Sequence, residues 1–233
     1  MTSSTNATPA GTKDCMYALL HAPGQIMKQR FVEDFSGQVL DDFTWATYVG
    51  GSGGAIALSD SVDGGLEIKS STTNMSLIDF APSDAAKIRP FNYNGCVQIT
   101  TAKLTNVTNA IMRIGMRSNY RTEGGSYVRI QLYGAAGGAH GSQENIISIN
   151  SDNFSVTNTD ITSSSTPSMF DWLTHKIECK SSTTEYSING ILKVTASGIP
   201  DEQLMPFIEV KNEEGTAASN PIGNVRYMEC YNT

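Results

Sequence analysis

The chain has 233 residues, of which 17% are charged and 39% hydrophobic, and its formal net charge is −7. That balance argues against nucleic-acid binding, which needs a basic footprint to release counterions. The length suits one large β domain, and the abundance of Ser, Thr, Asn and Gly favours short strands joined by polar turns over long amphipathic helices.

Residues 1–30 read as an N-terminal extended arm and residues 31–233 as the folded domain. Met1-Thr2-Ser3-Ser4-Thr5-Asn6 lacks a positive region followed by an apolar run, so no secretory leader is expected. No apolar stretch is long enough to cross a bilayer, so no membrane partner is expected either. Residues 1–13 have no apolar periodicity and should be disordered alone in water. After them Met16, Tyr17, Leu19, Leu20, Ile26 and Met27 crowd apolar groups onto a segment broken by Pro23-Gly24. Such an arm packs either on its own domain or on a partner.

From Phe31 onward strand signals follow closely. Phe31–Phe35 leads to Gly37, and Phe43–Val49 ends in a run of Gly and Ser. Ala55–Ser59 and Leu66–Lys69 flank Asp63-Gly64-Gly65, a hairpin candidate. Met75–Phe80, Cys96–Leu104, Ala110–Ser118, Tyr127–Tyr133 and Asn145–Asn150 come next, then Trp172–Cys179. Thr184–Ile188 and Ile191–Thr195 are joined by Asn189-Gly190, the strongest short-range hairpin signal, because a type I′ turn needs positive φ at both central residues. Pairing Ile188 with Ile191 places Tyr186, Ile188 and Ile191 on one face and Leu192 and Val194 on the other. Pro206–Val210 and Val225–Tyr231 close a series of about a dozen strands, the pattern of an antiparallel β-sandwich or jelly roll.

Several of these motifs carry a resemblance. Asp34-Phe35-Ser36-Gly37, Leu40-Asp41-Asp42-Phe43-Thr44-Trp45 and Asp63-Gly64-Gly65-Leu66-Glu67-Ile68 look like the opening strands of the concanavalin A-like (laminin G-like, glucanase-like) jelly-roll superfamily. Trp172-x-x-His175-x-Ile177, Tyr186-Ser187-Ile188-Asn189-Gly190 and Ile199-Pro200 look like its closing strands. More narrowly, the order is similar to lectin-like domains of tailed-bacteriophage virion proteins. His175 stands three residues after Trp172 rather than beside it, so no role tied to an adjacent Trp-His pair carries over.

Glucanases of that superfamily use a Glu-x-Asp-x-x-Glu strand to supply nucleophile, helper and acid. This sequence has none; Glu33-Asp34, Asp41-Asp42 and Glu213-Glu214 are adjacent pairs that point to opposite faces of a strand. No catalytic residues are therefore expected. His21, His140 and His175 have no ligand or triad partners at useful spacing, and by alternation His175 shares a face with Leu173, Ile177 and Cys179, as a hydrogen-bonded core histidine would. Trp45 and Trp172 read as core rather than as sugar platforms. Asp60 and Asp63 read as turn residues rather than Ca²⁺ ligands. Cys15, Cys96, Cys179 and Cys230 read as buried thiols. No cofactor and no metal are expected.

These readings together imply a non-enzymatic structural virion protein. It would decorate or cement a phage capsid, be made and assembled in the host cytoplasm, form a homo-oligomer, and anchor to the major capsid or another virion protein through its arm. The alternative is a carbohydrate-binding module for host surface glycan, using loops that carry Arg117, Asn119, Tyr120, Arg121 and His140, with Tyr127 nearby.

Overall fold

The structure, a computed structural model, describes residues 30–36, 45–58, 65–72, 75–80, 95–105, 110–118, 126–134, 145–152, 155–161, 168–197, 203–212 and 220–233. In chain order the strands are β1 (Arg30–Glu33), β2 (Trp45–Val49), β3 (Ala55–Leu58), β4 (Leu66–Lys69), β5 (Met75–Phe80), β6 (Cys96–Leu104), β7 (Ala110–Arg117) and β8 (Tyr127–Tyr133). They continue with β9 (Asn145–Asp152), β10 (Ser155–Asp160), β11 (Leu173–Cys179), β12 (Thr184–Ile188), β13 (Ile191–Ala196), β14 (Met205–Asn212) and β15 (Ile222–Asn232). Every recorded strand pairing is antiparallel, as the predicted jelly roll requires.

Two sheets form the sandwich. One is ordered β13-β12-β11-β6-β15-β4-β3, with β1 also pairing β15; the other has seven strands, ordered β10-β9-β8-β7-β14-β5-β2. The 11-residue β15 is shared end to end, since Ile222–Val225 face β4 and Met228–Tyr231 face β1. Between the sheets lies one apolar core containing Leu66, Ile68, Leu104, Ile114, Val128 and Ile208, all buried. Burying a side chain of this size contributes about 1.5–3 kcal/mol. The strand alternation read from the sequence is therefore what assembles the fold.

The Asn189-Gly190 turn forms as expected, with φ of 50° and 77°, and Ile188 pairs Ile191. One face assignment changes. A register shift between Tyr186 and Ser187 pairs Tyr186 with Val194, so Val194 packs on the core instead of facing away from it with Leu192. At the sheet edge Ile191 and Leu192 stay 58% and 53% exposed. One strand escaped the sequence reading: β10, Ser155–Asp160. Its composition is almost wholly polar, and as the outer strand of its sheet it pairs only β9.

Trp45 is core, as expected, at 1% exposure. Its ring lies 5.3 Å from Phe31 in an edge-on contact and 5.8 Å from Phe35. Phe35 has φ of 49°, an uncommon conformation for a bulky residue, and its ring is buried against Trp45. Glu33 and Asp34 support that turn: the Phe35 N–H donates to Glu33 Oε1 at 2.9 Å, and the Ser36 hydroxyl donates to Asp34 Oδ1 at 2.8 Å. These carboxylates hold backbone, which accounts for one adjacent pair. Trp45→Ala should cost about 3–5 kcal/mol, measured as a fall in unfolding free energy in urea; a loss below about 1 kcal/mol would show that this aromatic cluster does not hold β1 to β2.

Candidate functional site

The seven-stranded sheet is packed on both faces. Met112, Ile114 and Met116 of β7 and Val128, Ile130 and Leu132 of β8 belong to the core between the sheets. Alternation then turns Ile111, Arg113, Gly115 and Arg117, and Tyr127, Arg129, Gln131 and Tyr133, to the opposite face. On β14, Phe207 and Glu209 face the same way, since Ile208 and Val210 are core. Ile111, Tyr127, Tyr133 and Ile149 form a second apolar cluster there.

Polar groups run through that face as a chain. Arg113 Nη1 donates to Glu209 Oε1 at 2.7 Å, and Arg113 Nε donates to Gln131 Oε1 at 2.9 Å. The Gln131 amide donates in turn to the Tyr133 hydroxyl. Register makes this possible, because Arg113 stands opposite Glu209 on one side and Gln131 on the other. Two guanidinium groups cover rings: Arg117 lies 4.5 Å from the Phe207 centroid and Arg129 lies 4.3 Å from that of Tyr127. All these side chains are buried, Glu209 to 3% exposure and Arg113 to 5%. Gly115 sits among them because a Cβ there would come 2.2 Å from the Val128 carbonyl oxygen, a backbone atom that cannot give way.

The face gathers an anion, guanidinium groups, a fixed amide and aromatic rings within neighbouring strands. Asp79 on β5 holds the backbone position opposite Phe207, two residues beyond Leu77, which stands opposite Glu209. Among the described residues no group of three or more His, Cys, Asp or Glu is arranged to hold a metal.

Of the residues named for glycan loops, Arg117 is described and differs from expectation. It ends β7 and is buried over Phe207, rather than lying in a solvated loop, and its register partner is Tyr127. Asn119, Tyr120, Arg121 and His140 lie outside the described residues. So do the arm residues Met16, Tyr17, Leu19, Leu20, Ile26 and Met27, together with His21, Cys15, Asp60 and Asp63. Trp172 is half-buried on the other sheet, with Arg226 3.9 Å and Lys103 4.7 Å from its ring centroid. Those cations make cation–π contacts with the half-buried ring, which is neither fully core nor an open platform.

His175 lies in the core at 1% exposure, opposite Thr100 and Ile188. It was expected to be hydrogen-bonded; neither ring nitrogen has a partner among the described residues. Burial lowers its pKa from 6.5 to about 4. The folded protein therefore keeps the ring neutral where the unfolded chain takes up a proton. The stability it contributes is complete above pH 6.5 and is lost as pH falls toward about 4.

No family model matches the sequence, and no curated protein matches it in sequence. Solved structures do match in fold. An endo-1,3-β-glucanase (laminarinase) catalytic domain from Thermotoga petrophila RKU-1 is similar with a TM-score of 0.62 at 12% identity, covering 86% of this chain and 96% of that one. A glycoside hydrolase family 16 endo-glucanase from Bacteroides ovatus gives 0.59 at 10% identity, with coverage of 86% and 99%. The Crh5 transglycosylase gives 0.62 at 13%, with coverage of 88% and 84%. At such identities the likeness defines the fold: a concanavalin A-like jelly roll of the kind these enzymes have.

These neighbours overturn the expectation of a non-enzymatic virion protein, since all three are enzymes named for work on glycans and none is a virion component. They likewise show no particular closeness to phage lectin-like domains. Spacing along a single strand is silent about pairs across strands, such as Glu209 on β14 and the position of Asp79 on β5.

Two measurements check this site. Arg113→Met should cost about 3–5 kcal/mol by leaving Glu209 buried without its partner, and the double variant Arg113→Met/Glu209→Met should recover most of that loss; equal losses in both would mean the pair is not coupled. His175→Leu should flatten the fall in stability between pH 7 and pH 4 by about 3 kcal/mol relative to the parent. Parallel pH profiles for the two proteins would contradict a neutral buried imidazole.

Proposed function

We propose that this protein acts on glycans, holding a saccharide chain along the outward face of the seven-stranded sheet and cleaving a glycosidic bond there. The observation that carries the reading is the hydrogen-bonded chain Glu209–Arg113–Gln131–Tyr133 set beside the rings of Phe207 and Tyr127. Aromatic rings pack against the apolar face of a pyranose, while a few fixed polar groups select its hydroxyls. These side chains are buried, Phe207 to 1% and Glu209 to 3% exposure, so a saccharide that meets them must displace what covers that face.

Cleavage needs two carboxyl groups flanking the bond, about 5–9.5 Å apart according to whether configuration is retained or inverted. Glu209, paired to Arg113 at 2.7 Å, supplies one of them. The backbone position diagonal to Glu209 across the β14–β5 pair is that of Asp79, and diagonal positions lie about 7–8 Å apart, which makes it the residue to test as the second. The second carboxyl group would give a proton to the departing glycosidic oxygen. Glu209 would attack the anomeric carbon or deprotonate the water that does. The fold neighbours support β-linked glucans as the substrate class, being named as a 1,3-β-glucanase and an endo-glucanase.

Release of reducing ends from a panel of 1,3-linked and mixed-linked β-glucans and mucin O-glycans tests the reading. At least one should be cleaved, with Glu209→Gln lowering turnover about 100-fold or more while polysaccharide affinity stays within a few-fold. A chain that neither binds nor cleaves any of them would overturn it.

A further inference from the structure

The inner face of the β11-β6-β15 group carries three buried cysteines, Cys96, Cys179 and Cys230. Cys96 opens β6 and Cys179 ends β11, and the two are direct register partners. Both are free thiols, buried to 0% and 1% exposure. The Cys96 thiol donates to Met116 Sδ across the sandwich at 3.7 Å.

We propose that Cys96 and Cys179 form a site of reversible oxidation, closing to a cross-strand disulfide when the protein meets a low-molecular-weight disulfide. Directly opposite residues of an antiparallel pair have Cα atoms about 4.5–5.5 Å apart, within the about 4.4–6.8 Å that a disulfide spans. The third buried thiol is placed differently. Cys230 stands opposite Gln98, while Asn232 is the β15 residue opposite Cys96. That makes Cys230 a diagonal neighbour of Cys96, and diagonal Cα atoms about 7–8 Å apart exceed the spacing a disulfide accepts. The geometry therefore selects one pair from the three.

Access comes from position along the strands. The pair sits where β6 begins and β11 ends, beside exposed Lys180 and the C-terminal Thr233, whose N–H donates to the Gly95 carbonyl at 2.7 Å. The Gly95 N–H in turn donates to the Cys179 carbonyl at 2.9 Å. Strand ends open locally at far lower cost than strand centres. The adjacent Cys179 side chain and then burial hold the Cys96 pKa well above its ordinary value, so the reaction is slow at neutral pH and quickens as pH rises. In the first step one thiolate attacks the small disulfide and expels one small thiol. In the second, the other thiolate attacks the protein-bound sulfur of the mixed disulfide and expels the second small thiol. Two electrons pass from the protein sulfurs to the small disulfide, and the two protons lost by the protein are taken up by the released thiols.

The test uses the full chain incubated folded with oxidised or reduced glutathione at pH 8, followed by non-reducing peptide mapping and thermal melting. The expected result is a cross-linked peptide joining residues 96 and 179, with the other two of the four cysteines still alkylatable. The melting temperature should rise by about 10 °C, a rise absent in Cys96→Ser and Cys179→Ser and kept in Cys230→Ser. Cross-links through Cys230 or Cys15, or a folded oxidised sample with all four thiols free, would overturn the proposal.

Discussion

Period-two alternation on β7, β8 and β14 is the constraint on which the rest of the structure depends. Each strand must give alternate residues to the core between the sheets, and Met112, Ile114 and Met116 do so from β7. Whatever occupies the intervening positions is then forced onto a common outer face. Here those positions hold Arg113, Gly115 and Arg117, with Gln131 and Glu209 brought alongside by register. A one-residue slip of β14 against β7 would exchange Glu209 for an apolar neighbour and bury its charge in the core. Packing of the core and assembly of the site are thus one event, and the strands that carry the site also hold the sandwich together.

Charge explains why this face is built as a network. A carboxylate and a guanidinium removed from water cost several kcal/mol each unless they meet each other and fill their remaining hydrogen-bonding capacity. Arg113 meets that demand from two directions, through Glu209 and Gln131, and Gln131 passes the constraint on to Tyr133. The result fixes the rotamers of four side chains on three adjacent strands. A saccharide would meet groups already oriented, with little left to order on binding.

Most of the fold was legible in the sequence. Alternation marked β4, β5, β6, β8 and β12 with the observed boundaries, and Asn189-Gly190 marked its turn. What failed did so for local reasons. β10 has too few apolar residues to show alternation, and the register shift after Tyr186 moved Val194 onto the core face with no turn residue to announce it. The site was far less legible. Arg113 and Glu209 are 96 residues apart, and their meeting depends on β14 lying between β7 and β5. Spacing along a single strand carries no information about that order. Hence a missing Glu-x-Asp-x-x-Glu pattern says nothing of carboxylates set on different strands, and the burial of Arg117 at the end of β7 is not announced by its neighbours in sequence.

The claim that the outer face of the seven-stranded sheet is where this protein meets a glycan is most directly tested by a crystal structure grown with a β-glucan oligosaccharide. A sugar ring lying against Phe207 or Tyr127, with a hydroxyl hydrogen-bonded to the Glu209–Arg113–Gln131 chain, is the predicted result. An oligosaccharide bound instead on the other sheet, around Trp172 and Arg226, with the Glu209 face untouched, would contradict it.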